Sequence, residues 1–153
     1  MNLYLDSMQW IYFFEQNPQF YPATRSLILR TQAAHDDLLS SFLVLAEVLV
    51  LPSRNRDLFM AAKYKRFFLS PAVSLVPFGA DVAERFAVLR AGTRVKPADA
   101  LHLALAASAG IDFFITTDVK LHSPTIPGIS SICPPEAVPQ NGVSTGANAA
   151  PNP

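Results

Sequence analysis

The sequence predicts an α/β fold with a central, mainly parallel β-sheet flanked by α-helices. Three observations predict it. Helical and strand-like segments alternate along the chain, which is the pattern of helices layered on a parallel sheet. Half of the 153 residues are hydrophobic, enough to form a core in a chain of ordinary single-domain length. Two strand-like runs are followed by an aspartate, Asp6 directly and Asp118 after Thr117, and parallel sheets place their sites beyond such strand ends.

The elements follow in order. Asn2-Leu3-Tyr4-Leu5 is short and β-compatible. Ser7 opens a helix to about Glu15, with Trp10, Phe13 and Phe14 at helical spacing. Pro18 and Pro22 mark a break, and a second helix is expected from Ala23 to Ala34. Leu38 to Ser40 reads as a brief strand. Ser41 is a good N-cap for a helix from Phe42 to Leu51, which Pro52 and Ser53 end. A further helix is expected from Arg54 to Phe68, a strand from Val73 to Pro77 and a helix from Ala80 to Arg90, with Gly92 as its stop. Pro97 suits the first position of the apolar helix Ala98 to Ala109, closed by Gly110. Phe113 to Thr116 and Ile129 to Ile132 read as the last strands.

The domain is expected to span residues 1–135. Residues 136–153 are rich in Pro, Gly, Ala and Asn, and from Ala137 they carry no charge. Such a stretch buries too little surface to offset its ordering entropy and is expected to be disordered. Formal net charge is zero, so contact with a polyanion would have to come from local patches. The lone Cys133 excludes an intrachain disulfide, no Cys/His cluster has zinc spacing, and both fit a reducing cytoplasm. Cys133 is expected to be a buried small side chain. No secretory signal is expected, because Asp6 precedes any basic residue. The apolar run from Phe42 to Leu51 is too short for a bilayer, which needs about 20 residues.

Four acids stand in unusual places. Asp6 and Asp118 follow strands. Asp99 lies in the first turn of an otherwise apolar helix, where a carboxylate also suits the helix dipole. Glu47 is the most informative. It sits between Phe42-Leu43-Val44-Leu45-Ala46 and Val48-Leu49-Val50-Leu51, in a helix apolar on nearly every side. An ionised carboxylate buried there needs a cation, and none lies within a turn of it in sequence. A tertiary ion pair, or a helix edge touching water, would also satisfy it. Asp36, Asp37, Asp57, Asp81, Glu84 and Asp112 lie in polar or boundary settings that explain them.

Leu3-Tyr4-Leu5-Asp6-Ser7, the isolated Glu47, Pro97-Ala98-Asp99-Ala100-Leu101-His102-Leu103-Ala104 and Phe114-Ile115-Thr116-Thr117-Asp118 come in the order and spacing of a PIN domain. Over residues 1 to 135 the chain resembles that family, and within it the VapC-like ribonuclease toxins of bacterial type II toxin–antitoxin systems. It departs from the family pattern at Met8, where Asn or Ser is usual, and at Thr117, where Asn is usual.

The resemblance implies that Asp6, Glu47, Asp99 and Asp118 gather around one or two Mg2+ or Mn2+ ions and cleave single-stranded RNA. Asp6, Asp99 and Asp118 would hold the metal. Glu47 would bind it or orient the attacking water, with Ser7 and Thr116 as auxiliary residues. Hard divalent ions prefer such oxygen ligands. Carboxylates about 4 Å apart repel by roughly 4 kcal/mol per pair at an effective dielectric of 20. Without metal, at least one is therefore expected to hold a proton near neutrality. The resemblance also implies a homodimer and an inhibitory antitoxin, with no membrane partner.

Arg54, Arg56, Lys63, Lys65 and Arg66 form a basic stretch interleaved with Tyr64 and Phe67, which would track a phosphate backbone or simply be a solvated helix face. Arg94 and Lys96 flank the entry to the Asp99 helix and are better placed to meet a phosphate. His102 lies one turn beyond Asp99 and is read as structural rather than as a general base. Trp10, Tyr12, Phe13 and Phe14 cannot share one helical stripe, so they serve either core packing or a protein interface. Two other readings remain. One is a PIN fold used only for binding or scaffolding. The other is a phosphoryl-transfer domain of receiver or phosphatase type, although the phosphatase wants a second Asp where Met8 stands.

Overall fold

The computed structural model describes residues 1–122 and 125–139. Five parallel strands form one sheet in the order β3-β2-β1-β4-β5: β1 (Asn2–Leu5), β2 (Asp37–Ser41), β3 (Ser74–Val76), β4 (Ile111–Ile115) and β5 (Ile129–Cys133). The helices are α1 (Ser7–Phe14), α2 (Tyr21–Ala33), α3 (Phe42–Val48), α4 (Val50–Arg54), α5 (Leu58–Phe68), α6 (Ala80–Gly92) and α7 (Pro97–Ser108). The expected mainly parallel sheet is parallel throughout.

The strand order has a functional consequence. The chain builds outward from β1 through β2 to β3, then crosses back to lay β4 on the other side of β1. The order therefore reverses between β1 and β4. The two helical connections diverge there and leave a crevice at the carboxyl ends of the strands. Tyr4 pairs with Phe114 and Leu5 with Ile115, so the residues that follow, Asp6 and Thr116, emerge side by side. Leu3, Tyr4, Leu5, Phe114 and Ile115 are completely buried. Burial of each such side chain contributes about 1.5–3 kcal/mol, which holds this register firmly. Helix α7 covers the sheet with Ala100, Leu103, Ala104 and Ala106, all completely buried, and its alanines permit close approach.

Several boundaries differ from the sequence expectation, each for a local reason. Helix α2 begins at Tyr21, because Pro22 falls in its first turn, where its missing N–H would have had no partner. The expected helix Phe42 to Leu51 divides at Leu49. It caps as anticipated, with the Ser41 hydroxyl accepting from the Val44 N–H at 3.3 Å. Pro52 would remove an internal hydrogen bond from a continuous helix. Restarting at Val50 puts it in the first turn of α4 instead. Helix α5 begins at Leu58 rather than Arg54. Arg56 turns the chain with φ 55°, and Asp57 caps the helix by accepting from the Met60 N–H at 2.9 Å.

Packing continues past residue 135. Pro135–Ala137 forms a short 3-10 helix, Val138 is buried, and its carbonyl accepts from Arg30 at 3.5 Å. The rest of the tail expected to be disordered, 140–153, lies outside the described residues. Cys133 is buried at the end of β5. Among the described residues no helix is long and apolar enough to cross a membrane.

The N-terminal aromatics pack against one another. Trp10 is completely buried and meets Phe13, Phe14, Phe67 and Phe68, Phe14 stacks on Tyr64 at 4.4 Å, and Tyr12 stacks on Phe20 at 4.4 Å. Helix α1 thus packs aromatics on more than one side, because Tyr21 of α2 stacks on Phe13 while Phe67 and Phe68 of α5 meet Trp10. The same packing corrects one expectation. Tyr64 is buried and Phe67 is packed against the core, so neither is free to stack on a nucleobase.

Candidate active site

Asp6 is the residue at which β1 ends and α1 begins. Its backbone N–H still donates to the Ile115 carbonyl at 3.0 Å, continuing the β1–β4 ladder by one bond. Its side chain then caps α1, with Oδ1 accepting from the Ser7 N–H at 2.7 Å. Oδ2 accepts from the Thr116 hydroxyl at 3.0 Å. Both oxygens are thereby oriented. Burial holds the Asp6 carboxyl above the usual aspartate range, and nearby Glu47 adds to that. The His102 ring and the bonds from Thr116 and Ser7 oppose it. The first cause of the Asp6 shift is desolvation, and repulsion from Glu47 is a smaller one.

Thr116 links two of the acids. Its hydroxyl donates to Asp6 and also accepts from the Asp118 N–H at 3.1 Å. Its carbonyl accepts from His122 Nε2 at 3.0 Å. Asp118 is exposed, and its Oδ1 accepts from the Lys120 N–H at 3.0 Å, capping the 3-10 turn Val119–Leu121. Asp99, in the first turn of α7, lines an open cleft of about 460 Å³ together with Asp118, Thr93, Arg94, Lys96 and Lys120.

Glu47 reaches the site from α3. Its helix is less enclosed than its apolar sequence implies, because Phe42 is 59% exposed and the Glu47 side chain is about one-third exposed. Glu47 Oε2 lies 2.9 Å from His102 Nε2. That bond, with help from Ser7, holds the Glu47 carboxyl below the usual glutamate range despite partial burial. The partner that sequence could not find for Glu47 is thus His102, delivered from α7 across the fold.

The four acids therefore lie in two linked groups. Asp6 and Glu47 sit with Ser7, Thr116 and His102, while Asp99 and Asp118 share a cleft with Arg94, Lys96 and Lys120. Among the described residues no set of three or more His, Cys, Asp or Glu side chains is assembled as a metal cage. The donor chemistry nevertheless suits a hard divalent ion. Mg2+ takes one or two carboxylates and keeps several waters, and the desolvated Asp6 carboxylate is a group that a cation would stabilise. Arg54, the last residue of α4, and Arg56, in the turn before α5, are exposed and do not line this cleft.

Three contributors escape a reading of the sequence: His102 as a partner of Glu47, Lys120 in the cleft, and Gln9. Gln9 is completely buried, accepts from the Thr24 hydroxyl at 3.1 Å and donates to the Thr117 hydroxyl at 3.3 Å. It ties α1 and α2 to the turn that carries Asp118. Its only signal is a polar residue between Met8 and Trp10 in an aromatic helix. Replacing Gln9 with Leu leaves the Thr117 hydroxyl without this partner, and the loss in urea unfolding free energy is expected to be about 1–3 kcal/mol.

A parallel α/β sheet with Asp6 and Asp118 beyond its strand ends narrows the class of protein. The PIN domain family model matches residues 3–125, and the chain belongs to the PIN domain family. Comparison with curated proteins gives no sequence match. Among solved structures, a chain of VapBC2 from Rickettsia felis, crystallised bound to a DNA fragment from its promoter, superposes with a TM-score of 0.65 at 21% identity, covering 87% of this chain and 97% of that one. The Mycobacterium tuberculosis toxin VapC20, which cleaves the sarcin-ricin loop, superposes with a TM-score of 0.62 at 18% identity, covering 81% and 97%. Both likenesses concern the fold. Family membership removes the receiver and phosphatase alternatives.

Proposed function

We propose that this protein is a divalent-metal-dependent endoribonuclease that hydrolyses single-stranded RNA, acting as the toxin of a toxin–antitoxin pair. The observation that carries the reading is Asp6, desolvated and held at both oxygens between β1 and β4, in a chain of PIN family membership. Its resemblance to VapC chains supports the toxin role, a cognate antitoxin, a homodimer and a cytoplasmic setting.

Asp6, Asp99 and Asp118 would hold Mg2+ or Mn2+. When bound, such an ion lowers the pKa of a water and offsets charge on the phosphate. Thr116 fixes the orientation of the Asp6 carboxylate and, through the Asp118 N–H, the start of the Asp118 turn. Glu47, held below the usual glutamate range by His102, would bind the metal or accept a hydrogen bond that orients the attacking water. Arg94, Lys96 and Lys120 give the cleft its positive rim and would receive the phosphates flanking the cut.

The test uses purified protein and a mixed pool of tRNA, rRNA and mRNA, with Mn2+ or with a chelator, sequencing the cut ends. Cleavage should need the metal and leave no 2′,3′-cyclic phosphate, because water rather than the 2′-hydroxyl attacks. Metal binding without cleavage of any RNA in the pool would favour a binding or scaffold role instead. Replacing Arg94, Lys96 and Lys120 with Gln should flatten the salt dependence of RNA binding by roughly 0.7 in log–log slope for each phosphate no longer neutralised. An unchanged slope would remove these residues from the RNA path. Arg54 and Arg56 serve as the comparison, since they lie outside the cleft.

A further inference from the structure

We propose that His102 is a positioning residue for Glu47, its Nε2–H fixing which carboxylate oxygen is presented to the site. The two ring nitrogens of His102 are unequally satisfied. The side chain is 4% exposed, and its Nδ1 is buried with no hydrogen-bond partner among the described residues. An unpaired buried nitrogen is unfavourable, so a ring needed only for packing would be better replaced by an apolar side chain of the same size. The other nitrogen, Nε2, makes one bond, at 2.9 Å to Glu47 Oε2. That geometry assigns a hydrogen to Nε2, because a carboxylate only accepts.

The placement is rigid on the His102 side and loose on the Glu47 side. His102 is anchored in α7 between fully buried neighbours, Ala100, Leu103 and Ala104. Glu47 is about one-third exposed, and a glutamate in such a setting samples several rotamers unless one is selected. The same helix carries Asp99 three residues earlier, on the same face. One element, α7, thus delivers Asp99 to the cleft and fixes Glu47 beside Asp6. It joins the two groups of acids in register. Hydrogen bonds that orient carboxylates in this way commonly govern metal affinity or activity by about 10–100-fold.

The kinetic part of this proposal rests on the nuclease reading, so the experiment includes two measurements that do not. Long-range 1H–15N spectra of the wild-type chain report the His102 tautomer. Mn2+ affinity and cleavage are then measured for His102→Leu, His102→Gln and His102→Asn, each checked for folding by its thermal transition. Gln carries an amide N–H to the position of Nε2, whereas Asn reaches only that of Nδ1. The expected result is hydrogen on Nε2. His102→Leu and His102→Asn should lose about 10–100-fold in Mn2+ affinity and in kcat, with little change in KM, and His102→Gln should recover most of both.

A ring without hydrogen on Nε2, full function in His102→Leu, or equal loss in His102→Gln and His102→Leu would each overturn the proposal. A wild-type chain that binds Mn2+ but cuts no RNA sinks the nuclease reading, while the tautomer and the affinity series still decide the role of His102. A wild-type chain that binds no Mn2+ overturns positioning toward a metal.

Discussion

Asp6→Asn should lower Mn2+-dependent RNA cleavage by on the order of 10³-fold or more, as removal of one member of a cooperating catalytic set does, while the fold is retained. Retention follows from the local bonds. The Asn carbonyl can still accept from the Ser7 N–H, and the Thr116 hydroxyl can turn to accept from the new amide. The variant should also be the more stable protein at neutral pH when metal is absent. Burial raises the Asp6 pKa from 3.8 in the folded chain, so the unfolded chain releases its proton first. As pH rises through the window from 3.8 to the raised folded value, the folded state binds more protons than the unfolded one and stability falls. Asn has no such window. Thermal melts of the two metal-free proteins should therefore coincide below that window and separate above it, with Asp6→Asn higher. Mn2+ should raise the transition of wild type and not of the variant, because it binds the native site alone. Equal melting temperatures at pH 7 would argue that Asp6 is not desolvated in solution.

Trp10→Ala should be the most damaging single change to stability, with a loss of about 3–5 kcal/mol in urea unfolding at an unchanged slope. That is a large share of the roughly 5–15 kcal/mol that holds an ordinary domain together. Trp10 is completely buried and touches the rings of Phe13, Phe14, Phe67 and Phe68. Truncation empties the point where α1 and α5 meet, and aromatic neighbours collapse poorly into such a space. Trp10→Phe should lose markedly less. It keeps most of the aromatic contact and removes an indole N–H that is buried without a partner among the described residues. Similar losses for both variants would mean that the wall around Trp10 is less tightly packed than its burial implies.

The parallel sheet and its switch point are legible in the sequence because parallel strands buried on both faces read as short apolar runs. Asp6 and Asp118 are legible for the same reason, since each follows such a run. Pairing across the fold is not legible. Nothing local to Glu47 announces a histidine on α7, and the apolar helix around Glu47 overstates its burial because Phe42, Val50 and Leu51 face outward. The break at Leu49 is hidden because a proline such as Pro52 can end one helix or begin the next, and here it begins one. Tyr64 and Phe67 mislead for a related reason. Their spacing among basic residues resembles a stacking surface, and only the placement of α5 against α1 shows that they face the core. Gln9 is silent because a single polar residue in an aromatic helix has no local feature that distinguishes a buried network from a wet edge.

We propose that Asp6, Glu47, Asp99 and Asp118 act as one site although they stand in two groups. Mn2+ affinity, followed by the electron paramagnetic resonance of free Mn2+ for wild type and for Asp6→Asn, Glu47→Gln, Asp99→Asn and Asp118→Asn, tests it most directly. The expected result is weaker binding in all four variants, with the Asp99 and Asp118 changes affecting the same ion as the Asp6 change. Unaltered affinity and unaltered cleavage in Asp99→Asn and Asp118→Asn would contradict it, leaving those two acids as a helix-dipole residue and a turn cap.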